Sequence, residues 1–93
     1  MSFSVYLIIT KRIDRYVSYV GYAKNIKKRL FLHNNSKGAK FTKGNKWKLI
    51  YKKNYKTKSL ALKEEYNLKK NYKLRSFIKQ KYLKNEDFST ITL

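Results

Sequence analysis

Two runs of Val, Ile and Tyr, Phe3 to Thr10 and Tyr16 to Tyr22, are separated only by the charged stretch Lys11-Arg12-Ile13-Asp14-Arg15. Two β-prone runs with so short a polar connection are expected to fold back on one another as an antiparallel hairpin. Gly21 falls at the far end of the second run, where the missing Cβ permits a close approach or a sharp exit. Asn25 is then a candidate N-cap for a helix reaching about Asn34. The stretch 35–46 is polar and basic, holds two of the three glycines, and reads as a loop with at most a helical turn. Trp47 to Tyr55 resumes the β pattern, with Trp47, Leu49 and Tyr51 alternating against Lys48, Ile50 and Lys52. Thr57 or Ser59 can cap a helix running to about Tyr72. Leu74 to Leu83 has Leu74, Phe77, Ile78 and Leu83 on one side of a last helix.

The resulting order, β-β-α-loop-β-α-α, predicts an α+β fold with a small three-stranded antiparallel sheet flanked by helices. Ninety-three residues suit one core, since a chain this short buries only roughly 60–70 % of its unfolded surface. No repeat or linker divides it. The expected domain is 1–84, with 85–93 a weakly ordered C-terminal tail.

Charge narrows the function. Lys and Arg number 24 against 5 Asp and Glu, a formal +19, while 16 % of residues are aromatic, too many for a disordered basic tail. A folded chain that repels itself so strongly is matched to a polyanion, with nucleic acid ahead of an anionic membrane surface. The absence of a strongly amphipathic Lys/Trp helix sets the membrane aside. Without cysteine, and with one histidine, Cys-ligated zinc and His-cluster metals are excluded, so any metal must be held by oxygen. The apolar start is too short to span a bilayer and lacks a cationic n-region and a cleavage site, so a cytoplasmic location is expected, with nucleoid association one option.

Glu65 is the acid to watch. At about 100° per residue, Ala61 and Leu62 fall about 40° and 60° to either side of it, which places it in the middle of the face expected to meet the sheet. A carboxylate there is either a divalent-metal ligand or one half of a salt bridge to one of many cations. Glu64, about 100° round the wheel, is expected in solvent. Arg29 and His33, four apart on the first helix, share a face. The guanidinium of Arg29 can stabilise charge on a phosphate, and His33 can accept a proton, hydrogen-bond a phosphate, or simply be a partly buried residue. Tyr6 and Tyr19 are two of nine tyrosines and singly mean little.

Together the spacing says more. Ser4-Val5-Tyr6, then Tyr19-Val20-Gly21, then Arg29 with His33, then Glu65 within Ala61-Leu62-Lys63-Glu64-Glu65, resemble the GIY-YIG nuclease superfamily in order and separation. The likeness is particularly close to its small stand-alone proteins, whose pattern continues as Asn34, Gly38-Ala39-Lys40-Phe41-Thr42 and Trp47-Lys48-Leu49, and it covers residues 3 to about 72. The catalytic domain of the eukaryotic branched-DNA repair endonuclease is similar; the excision-repair incision subunit and homing endonucleases are more distant.

The resemblance implies a DNA endonuclease that hydrolyses phosphodiester bonds with one Mg²⁺ or Mn²⁺ on Glu65, acting on duplex, branched or damaged DNA in repair or recombination. It implies Tyr6 as the favoured base, with His33 the other candidate, Tyr19 hydrogen-bonding around water or phosphate, and Arg29 stabilising the phosphorane-like charge. Ser4 and Val5 stand where the first motif has glycine and isoleucine, changes a strand backbone tolerates. Asn71 is a candidate counterpart to an asparagine that some relatives place beside the site. With no sequence-reading module after the catalytic frame, substrate selection is expected from the domain itself, from a protein partner, or not at all.

Lys28, Lys37, Lys40, Phe41 and Lys43 are the candidate nucleic-acid contacts. Lysines supply charge, loop glycines let backbone N–H groups approach phosphates, and Phe41 either stacks on an unpaired base or tucks into the core. Trp47 reads as core. The alternative function is a non-catalytic basic nucleic-acid-binding module on the same scaffold, which has no need of Glu65 on an apolar face.

Overall fold

The first apolar run becomes the central strand of the sheet, which explains why it shows no polar alternation. The computed structural model describes residues 2–38 and 40–92, with backbone alone for 85–92. Ala39 of the loop pattern lies outside the described residues. Strands β1 (Phe3–Lys11), β2 (Tyr16–Ala23) and β3 (Lys48–Tyr55) form one antiparallel sheet in the order β2-β1-β3. Helix α1 (Ile26–Asn34) and a 3₁₀ turn (Lys40–Thr42) lie between β2 and β3, and α2 (Lys58–Lys70) and α3 (Tyr72–Thr92) follow. The predicted order and the α+β class are those observed.

Both faces of β1 are covered. Val5 and Leu7 pack with Val20 of β2 and with Ala61 and Leu68 of α2. Tyr6 and Ile8 point the other way, into a cluster with Ala23 and Trp47 that Ile26 and Leu30 of α1 cover. From Val5 to Ile9 no side chain exceeds 2 % exposure. Each such aliphatic contributes about 1.5–3 kcal/mol relative to exposure.

The caps follow local chemistry. Asn25 Oδ1 accepts the Lys28 backbone N–H at 3.1 Å, and Thr57, rather than Ser59, accepts that of Leu60 at 3.1 Å. Asn71 caps α3 through the Leu74 N–H at 3.1 Å, while Arg75 donates to the carbonyls of Leu68 and Lys69 at the end of α2. That cap is the role the structure shows for the Asn71 side chain.

Two details depart from the sequence pattern. Leu7 pairs with Tyr51 but Ile8 with Leu49, so Ile50 is an extra residue in β3. This bulge turns the alternation over: Trp47 and Leu49 join the Tyr6 face, whereas Ile50 and Tyr51 pack on the Val5 face. Helix α3 continues past Leu83 to Thr92, and its apolar side is divided. Ile78 reaches the core, but Leu74 is 40 % and Phe77 62 % exposed.

Candidate active site

Gly21 stands opposite Tyr6 in the β1–β2 register, and the Tyr6 side chain crosses it. A Cβ on Gly21 would lie 2.2 Å from Tyr6 Oη and 2.4 Å from Cζ, so only glycine leaves the phenol its path. The hydroxyl ends 2.7 Å from His33 Nε2. His33 Nδ1 in turn lies 2.8 Å from Thr42 Oγ1. Tyr6 is 1 % exposed, and His33 and Thr42 are fully buried. His33 is more than the partly buried residue that the sequence offered as one reading: α1 buries it completely, and both ring nitrogens find hydroxyl partners there.

The loop after α1 is fastened around this histidine. A Cβ on Gly38 would fall 2.5 Å from His33 Nδ1, so the chain passes tightly against the ring. Trp47 Nε1 donates to the Thr42 carbonyl at 2.9 Å. Asn34 clips the start of β3 by accepting from the Trp47 backbone N–H and donating to its carbonyl, and Lys46 Nζ donates to the Asn34 carbonyl at 2.9 Å. The Tyr19 ring meets His33 edge-on at 5.3 Å and Phe41 in a stack at 6.0 Å.

The electrostatics hold both partners neutral. Burial pushes the Tyr6 phenol above its ordinary range; the Arg29 guanidinium beside it opposes this, while Tyr19 and Glu65 add to the rise. Burial, and then the Arg29 cation, lower His33 below the usual imidazole range. The neutral ring donates from one nitrogen and accepts at the other. With the proton on Nδ1 it donates to Thr42, and Nε2 accepts from Tyr6; with the proton on Nε2 the two roles exchange.

The depressed His33 pKa has a consequence for folding. Below the ordinary value of about 6.5, the unfolded chain binds a proton that the folded chain refuses. Stability is therefore fully present above that pH and is lost as pH falls through the folded-state pKa. Urea unfolding of the wild type between pH 7.5 and 5 is expected to show this loss, and His33→Gln to show less of it; equal slopes would contradict the buried neutral imidazole.

Arg29 reaches the same place from α1. It lines an open groove with Tyr22, Lys24, Asn25 and Lys28, yet its Nε is buried with no hydrogen-bond acceptor. An unsatisfied buried donor costs about 1–3 kcal/mol. Glu65 lies close enough for its charge to act on Tyr6. Its carboxylate is 19 % exposed and pairs with Lys69, one turn on, at 3.6 Å; the lysine is 53 % exposed, so this is a weak surface pair. Ala61 and Leu68 are buried but Leu62 is 40 % exposed, so Glu65 flanks the buried face instead of centring it. Glu64 is half-buried, in a small cavity with Tyr51, Tyr55 and Asn67, which corrects its expected place in solvent.

Among the described residues no group of three or more His, Cys, Asp or Glu side chains forms. A divalent ion that takes oxygen ligands, such as Mg²⁺ or Mn²⁺, fits a lone carboxylate such as Glu65 provided that water and substrate oxygens complete the shell. Lys28, Lys37, Lys40 and Lys43 are exposed, Lys28 beside Arg29 in the groove. Phe41 takes an intermediate course: it is 49 % exposed, with its ring on Tyr19 and the Arg12 guanidinium 5.4 Å from its centroid. Thr42, Gly38 and Asn34 are the site-building residues whose roles the sequence did not disclose. Their partners are remote in the chain and no periodicity marks them. No helix among the described residues is long and apolar enough to cross a membrane.

The model of the GIY-YIG catalytic domain matches residues 2–82. The chain is 45 % identical over 80 residues to a UPF0213 protein of Staphylococcus saprophyticus, covering 85 % of this chain and 89 % of that protein. It is 52 % identical over 52 residues to a UPF0213 protein of Staphylococcus epidermidis and 48 % over 52 residues to one of Staphylococcus aureus, in each case covering 55 % of this chain and 63 % of the relative. No solved structure matches.

Proposed function

The chain belongs to the GIY-YIG catalytic domain family, and from that premise we propose that it is a metal-dependent endonuclease hydrolysing the phosphodiester backbone of DNA. The observation that carries this reading is the buried, acceptor-less Nε of Arg29 beside the Tyr6–His33 pair. A phosphate oxygen supplies the missing acceptor, and a guanidinium held in place beforehand stabilises the charge that grows on phosphorus-bound oxygens during attack.

Glu65 would hold the divalent ion, which supplies Lewis-acid charge to the phosphate. The protein's own groups handle the proton. With His33 protonated on Nδ1 and donating to Thr42, the Tyr6 oxygen takes a proton from the attacking water while its own proton passes to His33 Nε2. Water loses one proton and His33 gains one, so no free phenolate has to form in a site that raises the phenol pKa. In this reading the base is the pair, Tyr6 taking the proton of water and His33 that of Tyr6. DNA, duplex or branched, is the partner in this reading, in a repair or recombination setting inside the cell, with a protein partner as a further source of substrate selection.

Tyr6→Phe tests this. It leaves the ring in place and removes the transferable proton, so turnover is expected to fall about 10²–10⁴-fold with DNA affinity unchanged within about twofold. In the wild type kcat should stay level through the ordinary imidazole pKa and fall only below the lowered pKa of His33, because neutral His33 is the acceptor. Unchanged turnover in Tyr6→Phe would remove the pair from the chemistry.

A further inference from the structure

The tip of the β1–β2 hairpin carries a side chain that the fold leaves without cover. Ile13 has a relative exposure of 103 %, the highest of the large hydrophobic residues among those described. Its turn is tight, closed by the Arg12 N–H donating to the Arg15 carbonyl at 2.8 Å. Turns of this kind favour Gly, Asn, Asp or Ser, and a β-branched aliphatic there forgoes all the burial it would gain elsewhere. One exposed isoleucine is ordinary on a protein surface. Its setting here is more specific.

Lys11, Arg12 and Arg15 surround Ile13, against Asp14 alone of the opposite sign. Lys11, Ile13, Asp14 and Arg15 are exposed. Arg12 is held over the Phe41 ring, which stacks on Tyr19, which in turn meets His33. The tip is thereby tied to the basic loop and, through a chain of rings, to the candidate active site. An aliphatic point ringed by cations matches one feature of a polyanion, the apolar interior of stacked bases behind the phosphates. Side chains of this type enter base steps as wedges when flanking cations hold the backbone.

We infer that the hairpin tip is a second DNA contact in which Ile13 wedges into a base step with weakened stacking. This deepens the nuclease reading and rests on it: the favoured substrate is a duplex interrupted by a nick, mismatch or branch, in preference to intact duplex. Register sets the distance. Tyr6 pairs with Gly21, and the hairpin closes at Lys11 and Tyr16, five residues further along β1. At about 3.4 Å per residue this is about 17 Å. Ile13 lies beyond that closing pair, so with a base-pair rise of about 3.4 Å the wedge meets DNA at least about five steps from the scissile phosphate where the duplex follows the hairpin.

The test is binding in EDTA of the full chain and Ile13→Ser to two 30-base-pair duplexes, one intact and one with a central mismatch beside 2-aminopurine, with phosphatidylglycerol vesicles as a third ligand. The wild type is expected to favour the mismatched duplex about tenfold and to raise 2-aminopurine fluorescence as the base unstacks. Ile13→Ser, altered at a fully exposed position, should bind intact duplex like the wild type and lose both the preference and the fluorescence rise, and Ile13→Leu should restore them. Retained preference in Ile13→Ser, or none in the wild type, overturns the wedge and leaves the nuclease reading in place. Wild type that binds neither duplex overturns both. Loss confined to vesicle binding assigns the tip to a lipid surface and overturns the wedge.

Discussion

Glu65→Gln is expected to lower DNA cleavage by about 10³-fold or more while DNA affinity stays the same or rises. The substitution keeps the size of the side chain and removes one of five acids from a chain of net charge +19, so repulsion of DNA falls. It also removes the one carboxylate among the described residues that acts on Tyr6, and with it the oxygen that would hold the metal. Folding should survive, because the ion pair lost is the half-exposed contact with Lys69 at 3.6 Å, worth no more than about 0.5 kcal/mol. Circular dichroism and urea unfolding, run beside the cleavage assay, separate the two roles. A variant that unfolds would show that Glu65 serves as a structural ion pair.

Gly21→Ala should be nearly as severe, by a different route. The added methyl would occupy the space of the Tyr6 hydroxyl, 2.2 Å from its oxygen, and the ring, only 1 % exposed, cannot swing out without disturbing the residues that cover it. Overpacking of this kind costs about 1–3 kcal/mol. The hydroxyl must also leave its 2.7 Å contact with His33, so turnover is expected to fall by about 10² or more. The clash is testable by a double-mutant cycle on stability. Tyr6→Phe removes the atom nearest the new methyl, so Gly21→Ala should cost less in the Tyr6→Phe background than in the wild type. Strict additivity would mean that Gly21 does not serve to admit the phenol.

These variants also mark where a sequence is readable. The hairpin, the element order and the Asn25 and Thr57 caps depend on neighbours a few residues apart, and were legible in propensity and spacing. The need for a bare α-carbon at Gly21 could be anticipated, but its occupant could not, since Tyr6 meets it only through the strand register. The bulge at Ile50 was hidden because one inserted residue reverses a period-two pattern without altering composition. Glu65 looked central on a wheel that treats Leu62 as core, whereas α2 turns Ala61 and Leu68 inward and leaves Leu62 to solvent. His33 was the largest change. Its burial is enforced by Thr42 and Gly38, contacts no helical periodicity could announce. The family motif singled out both residues; the packing places His33 Nε2 2.7 Å from the Tyr6 hydroxyl.

The central claim, that this arrangement cuts DNA, is tested most directly by incubating the purified chain with end-labelled duplex, flap and four-way-junction DNA in Mg²⁺, in Mn²⁺ and in EDTA. The account predicts discrete products in either metal, none in EDTA and the highest rate on an interrupted duplex. Tight, salt-sensitive binding to every substrate with no metal-dependent product would contradict it, and would leave a basic nucleic-acid-binding module built on a nuclease scaffold.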